Sequence, residues 1–556
     1  MTLDPEPGDY AKVSSGKGKP AMKCCLCEEI LPLRSNAGVA EELDRLVSYL
    51  DAKPAPSCPN PACENRGVAI ADSPEGYARY GVTGAGTPRW RCNACRKIFS
   101  VGGSPTKKQR ITHKNREVFA LLMNKSPMNR MVEITGLDPK TLYGKIDFIH
   151  RQCMAFAASR ERQLTQGMVL PKMYVAVDRQ SFVVNWSNRK DRRNVQLNAI
   201  ASADLDSGYV FGMNLNFDGA LDPDEVEARA IVLGDYSSPA PYRKYARVWL
   251  KPDYDESVAA SAVTAAKKVA KALEKARAID ELTGEISAEY ASAMERDDVE
   301  DSEEKDKDIA LPTLGMQVHE QYTLHAHFLA LSLLLSNAEK VRVYMDQDSG
   351  FRAGFMSGFH QRVRDRTADA FYVKVLKNAT IDKKDSVVRK SKAIFKEYQA
   401  AHPKLKPYAV AVLMVIDEMK RMATLGQWDD RWLTHPLPNK GEPDKRVCWL
   451  TNLGGYTEEQ VALLYLKASL HSVDRFFMQA RRRLSLAERG FPSASSDRRI
   501  WHGYSAYKPQ NLGKVLEIFR VFYNYCSAGQ DKQTPAMRMG LARGLVKLEE
   551  VLCYGA

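Results

Sequence analysis

The strongest constraint on how this chain folds is a β-rich run that ends in an acid, Lys172-Met-Tyr-Val-Ala-Val-Asp178-Arg-Gln-Ser-Phe182. Two more runs of β-branched and aromatic residues follow at 194–202 and 208–216. Asp204, Asp206 and Gly208 lie between them and supply turn chemistry. The pattern predicts a three-stranded antiparallel meander with Asp178 on its first strand. A helical stretch over 320–337 then leads into Val341-Arg-Val-Tyr-Met-Asp346, a second short apolar run closed by an acid. A meander, a helix and a returning strand obey the rules for short, unknotted connections. The continuation predicts a helix over 351–363 and a fifth strand over 370–376.

With 556 residues the chain is too long for one ordinary core, and a multidomain α+β/α/β protein is expected. The formal charge of +13 favours an anionic partner. Its distribution is uneven, since residues 295–308 hold nine acids against three bases, leaving +19 on the remainder. No apolar run approaches the roughly 18 residues of a membrane span. The first residues are polar, without a signal-peptide core, so a cytoplasmic protein is expected. Cysteines in that compartment should be thiols or metal ligands, and seven of the eleven fall within the first 95 residues.

Cys58-Pro-Asn-Pro-Ala-Cys63 and Cys92-Asn-Ala-Cys95 sit on tight knuckles separated by a strand-forming stretch with Tyr77, Tyr80 and Trp90. Four thiolates paired in this way close a tetrahedral structural zinc site, the pattern of a zinc ribbon. Cys24 and Cys27 form a further pair, open between a second site and plain thiols. Next, 112–124 reads as a helix, Ser126-Pro127 restarts the chain, and Gly136 breaks it. Asp138-Pro139 then gives an N-cap and an N1 proline to a third helix running to about Ala158. Helix, glycine turn and capped helix predict a helix-turn-helix. Its last helix would present Lys140, Thr141, Tyr143 and Lys145 to base edges.

The expected organisation is a flexible tail (1–22), a zinc-ribbon module (23–105), a helix-turn-helix (106–160), a catalytic core (165–221, 311–380 and 457–490) and a C-terminal helical region (491–556). Two insertions interrupt the core, one helical and acidic (222–310) and one over 381–456 that includes a loop rich in Trp428, Trp432 and Trp449. Thr457 and Gln460 give a capping-box signature to a long helix running towards Arg489. Carboxylates gathered at strand ends suit metal-dependent phosphoryl transfer, in which two hard divalent ions about 4 Å apart activate the attacking oxygen and stabilise the leaving one. Magnesium, or manganese, prefers such oxygen donors.

The order of strands and acids is that of a ribonuclease H-like fold, in which the first and fourth strands lie side by side and bring two aspartates together. The sequence resembles bacterial insertion-sequence transposases of the DDE class. The resemblance rests on the two cysteine pairs with Arg96-Lys-Ile-Phe-Ser100, on Val177-Asp178-Arg-Gln180, on Tyr344-Met-Asp346, and on the ending Phe522-Tyr-Asn-Tyr-Cys526 with Lys532-Gln-Thr-Pro-Ala-Met-Arg538. It implies binding to double-stranded transposon ends, metal-dependent cleavage and strand transfer into target DNA, a dimer or larger assembly, and a nucleoid-associated location. The third acid of the family is normally glutamate. Here Asp474, Glu488 and Glu517 compete, and Asp474 is favoured because Arg481, two turns on and on the same face, offers a cation to the DNA backbone. Two other functions stay open on the sequence: a DNA-binding regulator descended from a transposase, and a nuclease that cuts without joining.

Overall fold

The computed structural model describes the chain apart from residues 1–7, 15–19, 26–29, 52–55, 67, 69, 71–72, 85–87, 102–104, 107–108, 186–193, 260, 279, 295–313, 349, 377–379, 427, 489–490, 493–499, 502–507 and 555–556. The acidic segment 295–308, Cys27 and the Lys107-Lys108 pair therefore lie outside the described residues or largely so. The chain divides into two compact units, the first drawn mainly from 1–43 and 170–477, the second from 44–169, 478–506 and 510–556.

The first unit is built on an eight-stranded mixed sheet. Its strands are β1 (Leu170–Asn185), β2 (Asn194–Asp204), β3 (Val210–Leu215), β4 (Ala338–Asp346), β5 (Ala368–Val375), β6 (Ala423–Leu425), β7 (Asp430–Thr434) and β8 (Lys445–Trp449). The order across the sheet is β6-β7-β8-β5-β4-β1-β2-β3. β4 runs parallel to both β1 and β5, and every other pairing is antiparallel. Central parallel strands are covered on both faces and need apolar residues on each. Val175, Val177, Val341, Val343 and Met345 serve one face and Ala176, Tyr344, Phe371 and Val373 the other, all of them buried.

Helices α1 (Glu320–Leu334) and α2 (Phe351–Arg364) pack closely together. A Cβ built on Gly358 would come within 2.6 Å of the Phe328 carbonyl oxygen, so only glycine permits this approach. α1 covers one face of the sheet, with His327 Nδ1 2.6 Å from Asn214 Oδ1 on β3. The other face carries α3 (Glu458–Lys467), whose Leu464 carbonyl accepts a 2.9 Å hydrogen bond from the buried Tyr344 hydroxyl of β4.

Three features of this unit differ from the sequence reading. Tyr10–Ser14 and Pro20–Cys24 pair as antiparallel strands where a flexible tail is expected, and Ala21 and Cys24 are buried. The tryptophan-rich part of the second insertion is sheet: Trp432 lies on β7 and Trp449 on β8, stacked near Tyr372 and Phe371 of β5. Finally, the predicted long helix from Thr457 breaks into α3 and α4 (His471–Arg483). Tertiary bonds replace helical ones at the break, because the Glu442 carboxylate accepts from Ser469 Oγ and the Leu470 amide while Lys445 Nζ donates to the Ala468 carbonyl. The capping box of Thr457 and Gln460 is present as expected.

In the second unit, Tyr77–Val82, Pro88–Cys92 and Ile98–Ser100 form a three-stranded antiparallel sheet. Three helices follow, Asn115–Leu122, Met128–Thr135 and Pro139–Thr165. Gly136 ends the second of them with φ of 69°, and the Asp138 side chain caps the third by accepting from the Thr141 amide. The third helix extends a further two turns beyond Ala158. Near the C-terminus, Pro509–Val521 runs into a π-helical turn at Phe522–Cys526, and the Tyr525 ring meets Phe156 edge-on at 5.0 Å. No helix among the described residues is long and apolar enough to cross a membrane.

Candidate functional sites

Asp178 and Asp346 occupy matching places on neighbouring strands. Val177 of β1 is in register with Met345 of β4 in a parallel pairing, so the next residue on each strand is an aspartate. Parallel neighbours in register share a face, and adjacent strands lie about 4.8 Å apart. Asp346 follows Arg342 and Tyr344 on that face, the one covered by α3. Asp178 is 7% exposed and its Oδ1 accepts from the Arg179 amide at 2.7 Å. Asp346 is half-buried.

Asp474 lies in the first turn of α4, half-buried. The start of that helix is tied to the sheet by Ser472, whose hydroxyl donates 3.2 Å to the Ala203 carbonyl of β2. Ala203 stands two residues from Ala201, the register partner of Asp178. The break between α3 and α4 thus brings the acid to the helix start, whereas the sequence reading put it inside one continuous helix. The rivals are engaged elsewhere: Glu488 pairs with Lys125 at 3.0 Å, and Glu517 pairs with His150. Asp206 is a turn residue as expected, and Asp204, the last residue of β2, holds the same turn. Asp204 Oδ2 accepts from the amide and hydroxyl of Ser207, and Asp206 pairs with Lys467.

Sequence reasoning did not single out Arg179. On the sheet face opposite Asp178, its guanidinium pairs with Glu320 at the start of α1 and with Asp348 just beyond β4. Burial opposes its charge, but these two carboxylates hold its pKa above the ordinary arginine value. Glu320 also accepts from Asn198 Nδ2 at 2.8 Å. The clamp fixes the segment following Asp346 against α1, and its signal in the sequence was the second acid in Asp346-Gln-Asp348.

The four cysteines of the second unit come together. Among the described residues they are the one set of three or more metal-ligating side chains whose donor atoms all lie within 4.8 Å of one another. Cys58 and Cys95 sulfurs are 3.4 Å apart and those of Cys63 and Cys92 3.6 Å apart. Zn–S bonds of about 2.3 Å in a tetrahedron require sulfurs about 3.8 Å apart, so this donor set suits structural zinc. The knuckles are shaped for it, with Arg96 held at φ of 63° and its amide donating to the Cys92 carbonyl. The Lys97 amide holds the Cys95 thiol down to about 6, and Asn65 Nδ2 lies 3.4 Å from Cys92 Sγ. The buried Tyr77 packs against the cysteines, its one hydroxyl proton shared between the Asn65 and Val68 carbonyls and its oxygen accepting from the Cys58 amide. Cys24 is buried in its own strand, and its sequence partner Cys27 lies outside the described residues.

Asp178, Asp346 and Asp474 are not gathered as closely as the four sulfurs. Of the residues expected to meet DNA, Lys140 is exposed and Thr141 and Tyr143 are half-buried, with the Thr141 hydroxyl donating to Asp138 at 2.5 Å. Lys145 is a correction. Its side chain points inward, 4% exposed, and its ammonium donates to the Arg110 and Ile111 carbonyls at 2.8 and 3.0 Å, so it is a structural strut. Arg481 is half-buried two turns along α4 from Asp474. The chain matches no protein-family model and no curated protein.

Proposed function

We propose that the chain is a DNA transposase of the DDE class, with a ribonuclease H-like core, that cleaves transposon ends and transfers the strand to target DNA. The observation that carries the reading is the pair of aspartates ending parallel neighbours β1 and β4 in a sheet whose first five strands run in the order β3-β2-β1-β4-β5. A third acid, Asp474, begins a helix tied to the adjoining strand, which supports a three-carboxylate site. Asp178, Asp346 and Asp474 would hold magnesium or manganese, whose chemistry is to activate an attacking oxygen and stabilise a leaving one. Carboxylate oxygens are the hard donors these ions favour. Asp178 and Asp346 would anchor the site on the rigid sheet, and the Arg179 clamp would keep the Asp346 strand end in place. The four-cysteine ribbon and the capped helix bearing Lys140 would recognise the ends, with phosphate contacts setting affinity and base contacts specificity. Two copies on paired ends complete the reading.

The test uses the full chain and DNA carrying the inverted repeats that flank its coding region. Asp178→Asn, Asp346→Asn and Asp474→Asn should each abolish metal-dependent cleavage of pre-bound ends and leave end binding intact. Glu488→Gln should cleave normally. Full activity in Asp178→Asn or Asp346→Asn would refute the site, and normal cleavage by Asp474→Asn would remove that residue from it.

A further inference from the structure

The second insertion carries a cationic face that nothing in the proposed site uses. Residues 381–406 hold eight bases against three acids. They form the helix Ile381–Ala401 and the turn that leads into the helix Pro407–Met419. Twelve of the 21 residues of the first helix are exposed, and Ser391 is its one buried residue, fastened by a 2.7 Å hydrogen bond from its hydroxyl to the Pro436 carbonyl. Near its start the charges are matched: Lys383 pairs with Glu281 and Asp385 with Lys440. Further along they are not. Arg389, Lys390, Lys392 and Lys396 are exposed, and among the described residues none has a carboxylate within 4 Å, although Arg389 attracts the Asp385 carboxylate at longer range and its Nε donates to the Asp385 carbonyl.

Arg389, Lys392 and Lys396 are spaced i, i+3 and i+7, which sets them on one stripe. At 1.5 Å of rise per residue the stripe is about 10.5 Å long. That is about three phosphate steps on one strand of a duplex, at 3.4 Å each along its axis. Lys404, Lys406 and the ring of Tyr408, 64% exposed, continue the surface past the end of the helix. Unmatched cations tolerated side by side on an exposed helix repel one another, and a polyanion relieves that repulsion.

We propose that this helix docks on the phosphate backbone of double-stranded DNA, holding a stretch of duplex by charge without reading its sequence. The inference rests on the transposase reading, in which both flanking and target DNA must be held beside the recognised ends.

The test measures binding of the full chain to a fluorescein-labelled duplex of arbitrary sequence, between about 50 and 200 mM salt. The variant replaces Arg389, Lys392 and Lys396 with Gln. All three positions are exposed and Gln matches Lys and Arg in helix propensity, so helicity by circular dichroism should be retained. Each phosphate contact contributes about 0.9 to the slope of log affinity against log salt, so the slope should fall by about 2 to 3. Replacing Lys420 and Arg421, which already pair with Asp417 and Glu418, should leave it unchanged. An unchanged slope in the triple variant, or an equal fall in the control, would overturn the proposal while leaving the transposase reading intact. A loss of affinity for polyglutamate with duplex binding preserved would assign the face to an acidic protein instead, and would overturn it too. Failure of the unaltered chain to bind any duplex would count against the transposase reading itself.

Discussion

Asp253 is where a single carboxylate can be followed from its hydrogen bonds to the candidate site. Its Oδ1 accepts from Arg243 at 2.6 Å, and its Oδ2 accepts from the Leu250 amide at 2.9 Å and lies 3.5 Å from His319 Nε2. Burial works to raise its pKa, but His319, Arg243 and the Leu250 amide outweigh it and hold the carboxyl down to about 2, against an ordinary 3.8. That depression corresponds to about 2 kcal/mol. The group is 10% exposed, so little of this is lost to solvent screening. Because the folded pKa is the lower one, the stabilisation is present above about pH 4 and disappears as pH falls through about 2. His319 stacks on Trp249 at 4.9 Å and occupies the N-cap position of α1, whose first residue, Glu320, grips Arg179 beside Asp178. Asp253→Asn should therefore loosen the start of α1. A chain of two units need not unfold in one step, so local hydrogen exchange is the appropriate assay. The Trp249 and His319 amides, which donate to the Gln317 and Arg247 carbonyls, should exchange up to about 30-fold faster at pH 5, where a protonated His319 faces an ionised Asp253. The difference between variant and parent should vanish near pH 2, after correction for intrinsic exchange. A change below about threefold at pH 5, or one that persists undiminished below pH 2, would refute the reasoning.

Chelation or Cys92→Ser should unfold the ribbon, read by the fluorescence of Trp90, while hydrogen exchange over β1, β4 and β5 stays unchanged; metal analysis of the parent should give one zinc per chain. A stably folded ribbon without metal would sink that assignment. Lys145→Ala should destabilise the helical part of the second unit by about 1 kcal/mol, because the buried ammonium's hydrogen bonds to the Arg110 and Ile111 carbonyls are lost while those carbonyls can turn to water. Lys140→Ala, at an exposed position, should leave thermal stability unchanged and weaken DNA binding only.

The elements that the sequence revealed were those whose signal is local. β1 to β5 are short runs bounded by turn residues, and the ribbon follows from cysteine pairs whose spacing fits a single ion. Asp138 as a cap and Gly136 as a stop were legible because each acts on its own backbone. What the sequence hid depends on partners far along the chain. Lys145 looked like a recognition residue by position on its helix, yet its ammonium answers two carbonyls more than thirty residues earlier. The strands β6 to β8 read as a tryptophan-rich loop because each is five residues or fewer, and their apolar residues find purpose only against β5.

The break between α3 and α4 has the same cause and the largest consequence. Periodicity alone favours one helix through Ala468, since no glycine or proline interrupts it. Glu442 and Lys445, a buried pair 2.9 Å apart, take over the polar groups of residues 468–470 and so end one helix and start the next. Without that break Asp474 would lie about four turns into a single helix, its place fixed by the helix axis alone. With it, the acid lies in the first turn of α4, where Ser472 fastens the chain to β2 two residues from the level of Asp178. A buried ion pair contributes little to stability on balance, since desolvation offsets its attraction. Its worth here is positional: it redirects the backbone just before Asp474, the third acid of the proposed site.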